Sequence, residues 1–156
     1  MTEIRFYHLL RKTLEQALPE LLEKCRERGW RAVVVAGSEE RVEQMAQHLW
    51  TYNERSFLPH GTKRDGEAAD QPIWLTDRDE NPNGATVLFL TDGATSAQVD
   101  AFTLVCDLFD GNDPGALQAA RERWKARKDE GHTLAYWQQD DAGRWQEKQR
   151  TSPAGK

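Results

Sequence analysis

The chain has 156 residues, 38% of them hydrophobic and six of them Trp, which suits one domain that buries roughly 70% of its unfolded surface and argues against wholesale disorder. A formal charge of −5 and an isoelectric point near 5.4 exclude broad, non-specific nucleic-acid binding, which needs a net basic footprint, but leave room for a local basic site. No apolar run approaches the roughly 20 residues of a membrane span, and the start Met1-Thr2-Glu3-Ile4-Arg5 lacks the features of a signal peptide, so a cytoplasmic protein without a membrane partner is expected.

Ile4 to Leu9 is an apolar-aromatic run that suits a first strand. Thr13-Leu14-Glu15-Gln16 has the capping-box pattern, with Thr13 as N-cap and Gln16 at the third helical position. Leu14, Leu18, Leu21 and Cys25 then form a helical stripe that ends at Gly29. Pro19 interrupts it, so the helix either kinks or starts near residue 18. Arg31 to Ala36 holds the continuous β-branched run Val33-Val34-Val35, as in a strand covered on both faces. Gly37-Ser38 turns the chain into a helix with Ser38 as N-cap and Val42, Met45, Ala46 and Leu49 on its apolar face.

Residues 50 to 71 lack periodicity, and Lys63 to Asp70 reads as a mobile polar loop. Ile73-Trp74-Leu75 is a short strand, the stretch 79–84 is rich in turn residues, and Thr86 to Thr91 is the clearest central strand. Thr95-Ser96-Ala97-Gln98 has a second capping-box pattern, predicting a short helix through Phe102. Leu104 to Phe109 is a further strand, and Asp113-Pro114 opens the last helix. Tyr136-Trp137 and Arg144-Trp145 flank a turn and predict a hairpin over 134–148. Strands alternating with helices predict an α/β three-layer sandwich around a mostly parallel sheet, Rossmann-like in topology. One domain over 1–150 is expected, with 151–156 as a frayed tail.

A fold of this class invites a nucleotide enzyme, but neither GxGxxG nor GxxxxGK[ST] occurs. Asp92, Asp107 and Asp110 stand at strand ends, where converging carboxylates serve Mg²⁺-dependent phosphoryl transfer or a nuclease. Asp92-Gly93 and Asp110-Gly111 are equally turn signals, which is the simpler reading. The four His and two Cys have no metal-ligand spacing, so neither metal nor cofactor is expected, and Cys25 and Cys106 read as buried apolar residues.

The last helix carries five basic residues, Arg121, Arg123, Lys125, Arg127 and Lys128, around Trp124 in an acidic protein. Leu117, Ala120 and Trp124 share one stripe; Arg121, Lys125 and Lys128 form the next. Arginine pairs bidentately with a carboxylate, lysine supplies charge, and tryptophan supplies a flat apolar wall, a combination suited to an acidic peptide. Periodicity alone favours a structural role, with Trp124 anchored in the core and the cations meeting the helix dipole. Arg123 and Arg127 lie on the alanine-rich side, so counting does not settle which side faces the core.

Arg5-Phe6-Tyr7, Gly29-Trp30-Arg31-Ala32-Val33-Val34, His48-Leu49-Trp50, Ser56-Phe57-Leu58-Pro59-His60, Gln71-Pro72-Ile73-Trp74-Leu75 and Ala120-Arg121-Glu122-Arg123-Trp124-Lys125 recur in this order through about residue 137. As an ordered set they resemble the chi subunit family of bacterial DNA polymerase III holoenzyme. The resemblance implies a non-catalytic replication adaptor with a mononucleotide-binding-like fold. It implies binding of the acidic, phenylalanine-ended tail of single-stranded DNA-binding protein, contact with psi and hence the clamp loader, and DNA only indirectly. Arg121 and Lys125 match the family's tail-binding cations and Trp124 its aromatic, with Lys128 one turn on. Leu117 stands where some members have another basic residue, and Trp50, Phe57, Leu58 and Pro59 match the psi-facing region.

Overall fold

The computed structural model describes residues 2–53 and 58–151. The apolar runs become strands β1 (Glu3–Leu9), β2 (Ala32–Val35), β3 (Ile73–Thr76), β4 (Val87–Leu90), β5 (Leu104–Asp110), β6 (Thr133–Gln139) and β7 (Trp145–Thr151). They form one sheet in the order β3-β2-β4-β5-β1-β6-β7, parallel throughout except that β7 runs antiparallel to β6. Helices α1 (Leu14–Glu27) and α2 (Glu39–Thr51) cover one face and α3 (Pro114–Asp129) the other. The result is the three-layer α/β sandwich expected, and β2, β3 and β4 are buried along their whole length between the layers.

Two apolar cores follow from the alternation of side chains across the sheet. Leu18, Leu22, Met45 and Leu49 pack on Val34, Leu75, Phe89 and Leu108 under α1 and α2. Phe6, Val33, Leu88, Val105, Phe109 and Leu134 pack under Ala120 of α3. A fully buried Leu or Phe contributes about 1.5–3 kcal/mol, so these two layers dominate stability. Cys25 and Cys106 are free and buried in the first core. Burial pushes the Cys25 thiol up to about 11 and raises that of Cys106 too, so both act as small apolar residues.

Helix α1 starts at Leu14 and runs straight through Pro19, rather than starting near residue 18. The Thr13 N–H donates to the Gln16 side chain at 2.9 Å, within the predicted capping box, which forms. Pro19 has no N–H to offer the carbonyl four residues back, which belongs to Glu15. Nε2 of His48, on α2, lies 2.5 Å from that Glu15 oxygen. A side chain from the neighbouring helix thus replaces the missing backbone bond, and α1 tolerates its proline.

The other helix starts also follow sequence. The Ser38 hydroxyl accepts from the Arg41 N–H at 3.2 Å, and Asp113 Oδ1 accepts from the Gly115 N–H at 2.9 Å ahead of Pro114. The predicted box at Thr95–Gln98 does not form. Ser96 Oγ instead donates to Asp79 at 2.5 Å and accepts from the Gln98 N–H, and only a 3₁₀ turn, Val99–Ala101, follows. The segment expected as a loop holds defined turns. Asp65 accepts from the Thr62 N–H at 2.9 Å, and Ala68–Asp70 is a 3₁₀ turn. Gly61 bridges to Trp74, so close to Gln71 that a Cβ would lie 2.5 Å from its side-chain carbon.

The hairpin forms in a register of its own. Trp145 faces Gln139, a bulge lies between Tyr136 and Trp137, and Thr151 still pairs with Leu134. Thr151 therefore belongs to β7 and not to a frayed tail.

Candidate functional site

The five cations of α3 divide by direction. Arg123 turns towards the sheet and donates to both Asp107 oxygens, at 2.7 and 3.0 Å. Arg127 donates to the Ser96 carbonyl at 2.8 Å and pairs with Glu130 at 3.0 Å. Arg121, Lys125 and Lys128 are exposed and in no ion pair among the described residues. Two guanidiniums are thus consumed by the fold, and three cations remain available.

Trp124 is both anchor and wall. Its ring meets Phe6 edge-on at 5.4 Å and Tyr136 at 6.3 Å, which ties it to the second core. Its remaining surface lines a cavity of about 260 Å³ with Leu117 and Ala120 of α3, Phe6 and His8 of β1, Phe109 of β5, and Tyr136 and Gln149 of the hairpin. Among the described residues, Arg121 is the only arginine or lysine in that lining. Lys125 and Lys128 lie outside it, on the exposed side of α3. The cavity is an apolar slot with one guanidinium, a shape and charge that suit an apolar side chain carrying a carboxylate.

His8 shapes one end of the slot. Its Nδ1 is hydrogen-bonded to the Tyr136 hydroxyl, and its ring lies over Gly111, where a Cβ would overlap the imidazole. Burial holds the His8 imidazole below its ordinary value, and the charge of Arg121 pushes the same way. The Tyr136 hydroxyl is raised by burial. At neutral pH this end of the slot is uncharged, so Arg121 supplies the local charge.

Phe6, His8, Phe109, Tyr136 and Gln149 carried no signal of their own in the sequence. Phe6 and His8 alternate on β1, which marks a shared face. Only the parallel register that sets Phe6 beside Tyr136 brings the hairpin to that face.

The second predicted patch is partly buried. Trp50 is 49% exposed and packs on the His60 ring at 4.4 Å. Pro59 is half-buried, and Phe57 lies outside the described residues. Leu58, expected on the surface, is in the first core, where its side chain fills space under α2 and cannot reach a partner. His60 holds the segment down, with Nδ1 2.6 Å from the Leu58 carbonyl and Nε2 3.0 Å from that of Ala46.

Each strand-end acid is held by a partner of its own. Asp107 is buried against Arg123. Asp92 accepts from Arg41 through both oxygens and from the Gly37 N–H at 3.1 Å. Asp110 accepts from the Asn112 N–H at 2.9 Å. No group of three potential ligands that could hold a metal occurs among the described residues. The larger cavity at these strand ends, about 700 Å³, has Asp92, Asp110 and Asp113 in its lining beside the cations Arg11, Lys12, Arg41 and Arg123. Each of these cations is already paired with an acid. No helix among the described residues is long and apolar enough to cross a membrane.

Comparison with known proteins converges on one family. The family model described as "DNA polymerase III chi subunit, HolC" matches residues 1–135. A "Probable DNA polymerase III subunit chi" of Rickettsia prowazekii (strain Madrid E) is 35% identical over 108 residues, covering 67% of this chain and 66% of the relative. The "DNA polymerase III subunit chi" of Escherichia coli (strain K12) is 28% identical over 124 residues, 78% of this chain and 82% of the relative. The match thus spans about two thirds of the first relative's length. The slot beside Trp124 is built within the matched segment except for Tyr136 and Gln149, and the chain belongs to the family of DNA polymerase III chi subunits.

Proposed function

We propose that the chain is a non-catalytic replication adaptor whose Trp124 slot takes the acidic C-terminal tail of single-stranded DNA-binding protein. The observation that carries this reading is the apolar slot with Arg121 in its lining and Lys125 and Lys128 farther along α3, all three in no ion pair among the described residues. The terminal phenylalanine ring packs against Trp124, Phe6 and Tyr136. Its carboxylate meets Arg121, and the acids before it run along α3 past Lys125 and Lys128. A second, separate surface around Trp50 and Pro59 serves contact with psi, and through psi with the clamp loader; the 49% exposure of Trp50 supports it.

Calorimetric titration with an acidic peptide ending in phenylalanine, and with the same peptide lacking that residue, tests the slot. The full peptide should bind, more weakly as salt screens the lysines. The truncated peptide should lose at least about tenfold, because it forfeits a buried ring and moves the carboxylate. Arg121→Ala should weaken the full peptide. Equal binding of both peptides, or parent-like affinity in Arg121→Ala, would remove the slot from this role.

A further inference from the structure

Strand β7 changes phase in its middle, and the change brings one side chain into the Trp124 slot. Trp145 and Glu147 stand opposite Gln139 and Trp137, on the α1 side where Trp137 and Trp145 pack on the first core. Simple alternation would carry Gln149 to that same side. The pairing instead jumps from Glu147 to Gln149, which leaves Lys148 as the extra residue of the bulge. Gln149 therefore stands opposite Tyr136 and lines the slot beside Trp124. An inserted residue of this kind re-aims the side chains that follow it. Arg150, next along the strand, points the other way and pairs with Glu3 at 3.2 Å and Glu147 at 2.7 Å. The inverted phase thus holds to the end of β7.

Gln149 differs in kind from the rest of the lining, most of which is apolar. His8 Nδ1 and the Tyr136 hydroxyl are bonded to each other, and His8 Nε2 is buried. Arg121 only donates hydrogen bonds. Gln149 is the one carboxamide in the lining among the described residues. It is exposed on the edge strand of the sheet, and its side chain makes no hydrogen bond among the described residues. Its NH₂ group donates and its oxygen accepts. A carboxylate would use only the NH₂ group and would set oxygen against oxygen at the other atom. A peptide unit uses both, its N–H on the carboxamide oxygen and its C=O on the carboxamide NH₂.

We propose that Gln149 reads the main chain of the bound tail, at the last peptide unit before the terminal phenylalanine, while Arg121 takes the carboxylate. This rests on the reading of the slot given above and sharpens it. The slot becomes a site for a peptide terminus, and an aromatic acid of the same charge without that peptide unit forfeits the contact. Gln149 lies beyond residues 1–135 of the family match, so the contact is assigned from the hairpin of this chain and not from the family.

The test pairs the acidic phenylalanine-ended peptide with its ester analogue, in which oxygen replaces the N–H of the last peptide unit. Ring, acids and terminal carboxylate are the same in both. Each is titrated calorimetrically into the parent, Gln149→Met and Arg121→Ala. The parent should prefer the amide peptide about fivefold, the worth of a hydrogen bond. Gln149→Met keeps the length of an exposed side chain and hence the fold. It should bind the amide peptide about fivefold more weakly and show no preference between the two. Arg121→Ala should keep the preference at lower affinity. The preference should not vary with salt, because the two peptides carry equal charge. A Gln149→Met protein that binds like the parent, or that keeps the preference, overturns the proposal, while a loss in Arg121→Ala leaves the slot in place. Equal weakening of both peptides in Gln149→Met also overturns it, since the carboxamide then meets the carboxylate. Parent-like affinity in Arg121→Ala removes the slot, and the proposal with it.

Discussion

Replacing Arg123 by alanine is expected to destabilise the protein by about 3–5 kcal/mol, as loss of one partner from a buried ion pair does. Asp107 stands in the middle of β5, opposite Phe6 on one side and Leu90 on the other, and is 3% exposed. The Arg123 guanidinium is its charge partner, through two hydrogen bonds. Burial raises the Asp107 carboxyl above its ordinary value, and Arg123 opposes that rise. Without Arg123 the carboxyl rises further and the folded state holds a proton that the unfolded chain releases. Stability changes with pH in proportion to protons bound unfolded minus protons bound folded, which is negative here. The contribution is therefore greatest at acid pH and is lost as pH rises through the raised value. Urea unfolding of Arg123→Ala should show a larger deficit at neutral than at acid pH. Asp107→Leu in an Arg123→Met background should recover most of the loss, because no buried charge then remains. A double variant as unstable as Arg123→Ala would show that the pair is not the cause.

Trp124→Ala should weaken binding of the phenylalanine-ended peptide by about 2 kcal/mol or more, roughly thirtyfold in Kd. The slot explains the size of the effect. Trp124 supplies one wall, and its contacts with Phe6 and Tyr136 hold two others in place. Because the same ring anchors α3 to the second core, thermal unfolding must accompany the titration. Trp124→Tyr keeps an aromatic wall and should lose much less. A folded Trp124→Ala protein that binds like the parent would place the peptide elsewhere.

Much of the architecture was legible because short-range rules agree with the fold. The β-branched run at 33–35, the capping residues Thr13, Ser38 and Asp113, and the stripe Val42, Met45, Ala46, Leu49 each describe a local preference that packing then rewards. What escaped depends on partners distant in sequence. Thr95–Gln98 carries a capping pattern, but Asp79, from another turn, captures the Ser96 hydroxyl and sets a different bend. Leu58 sits in an aperiodic stretch, so nothing local marks it as core. The site divides in the same way. Arg121 and Trp124 were visible from charge and spacing on one helix, and Arg123 could be told from its neighbours only once Asp107 faced it. His8 and Tyr136 meet across paired strands, 128 residues apart, and no window of sequence contains both.

The proline in α1 has a consequence at the scale of lineages. Pro19 is tolerable because an imidazole from the next helix serves the Glu15 oxygen it leaves bare. The two positions should therefore drift as a couple. Relatives with an ordinary residue at the first need no donor at the second, and a lineage acquiring the proline should already carry the histidine.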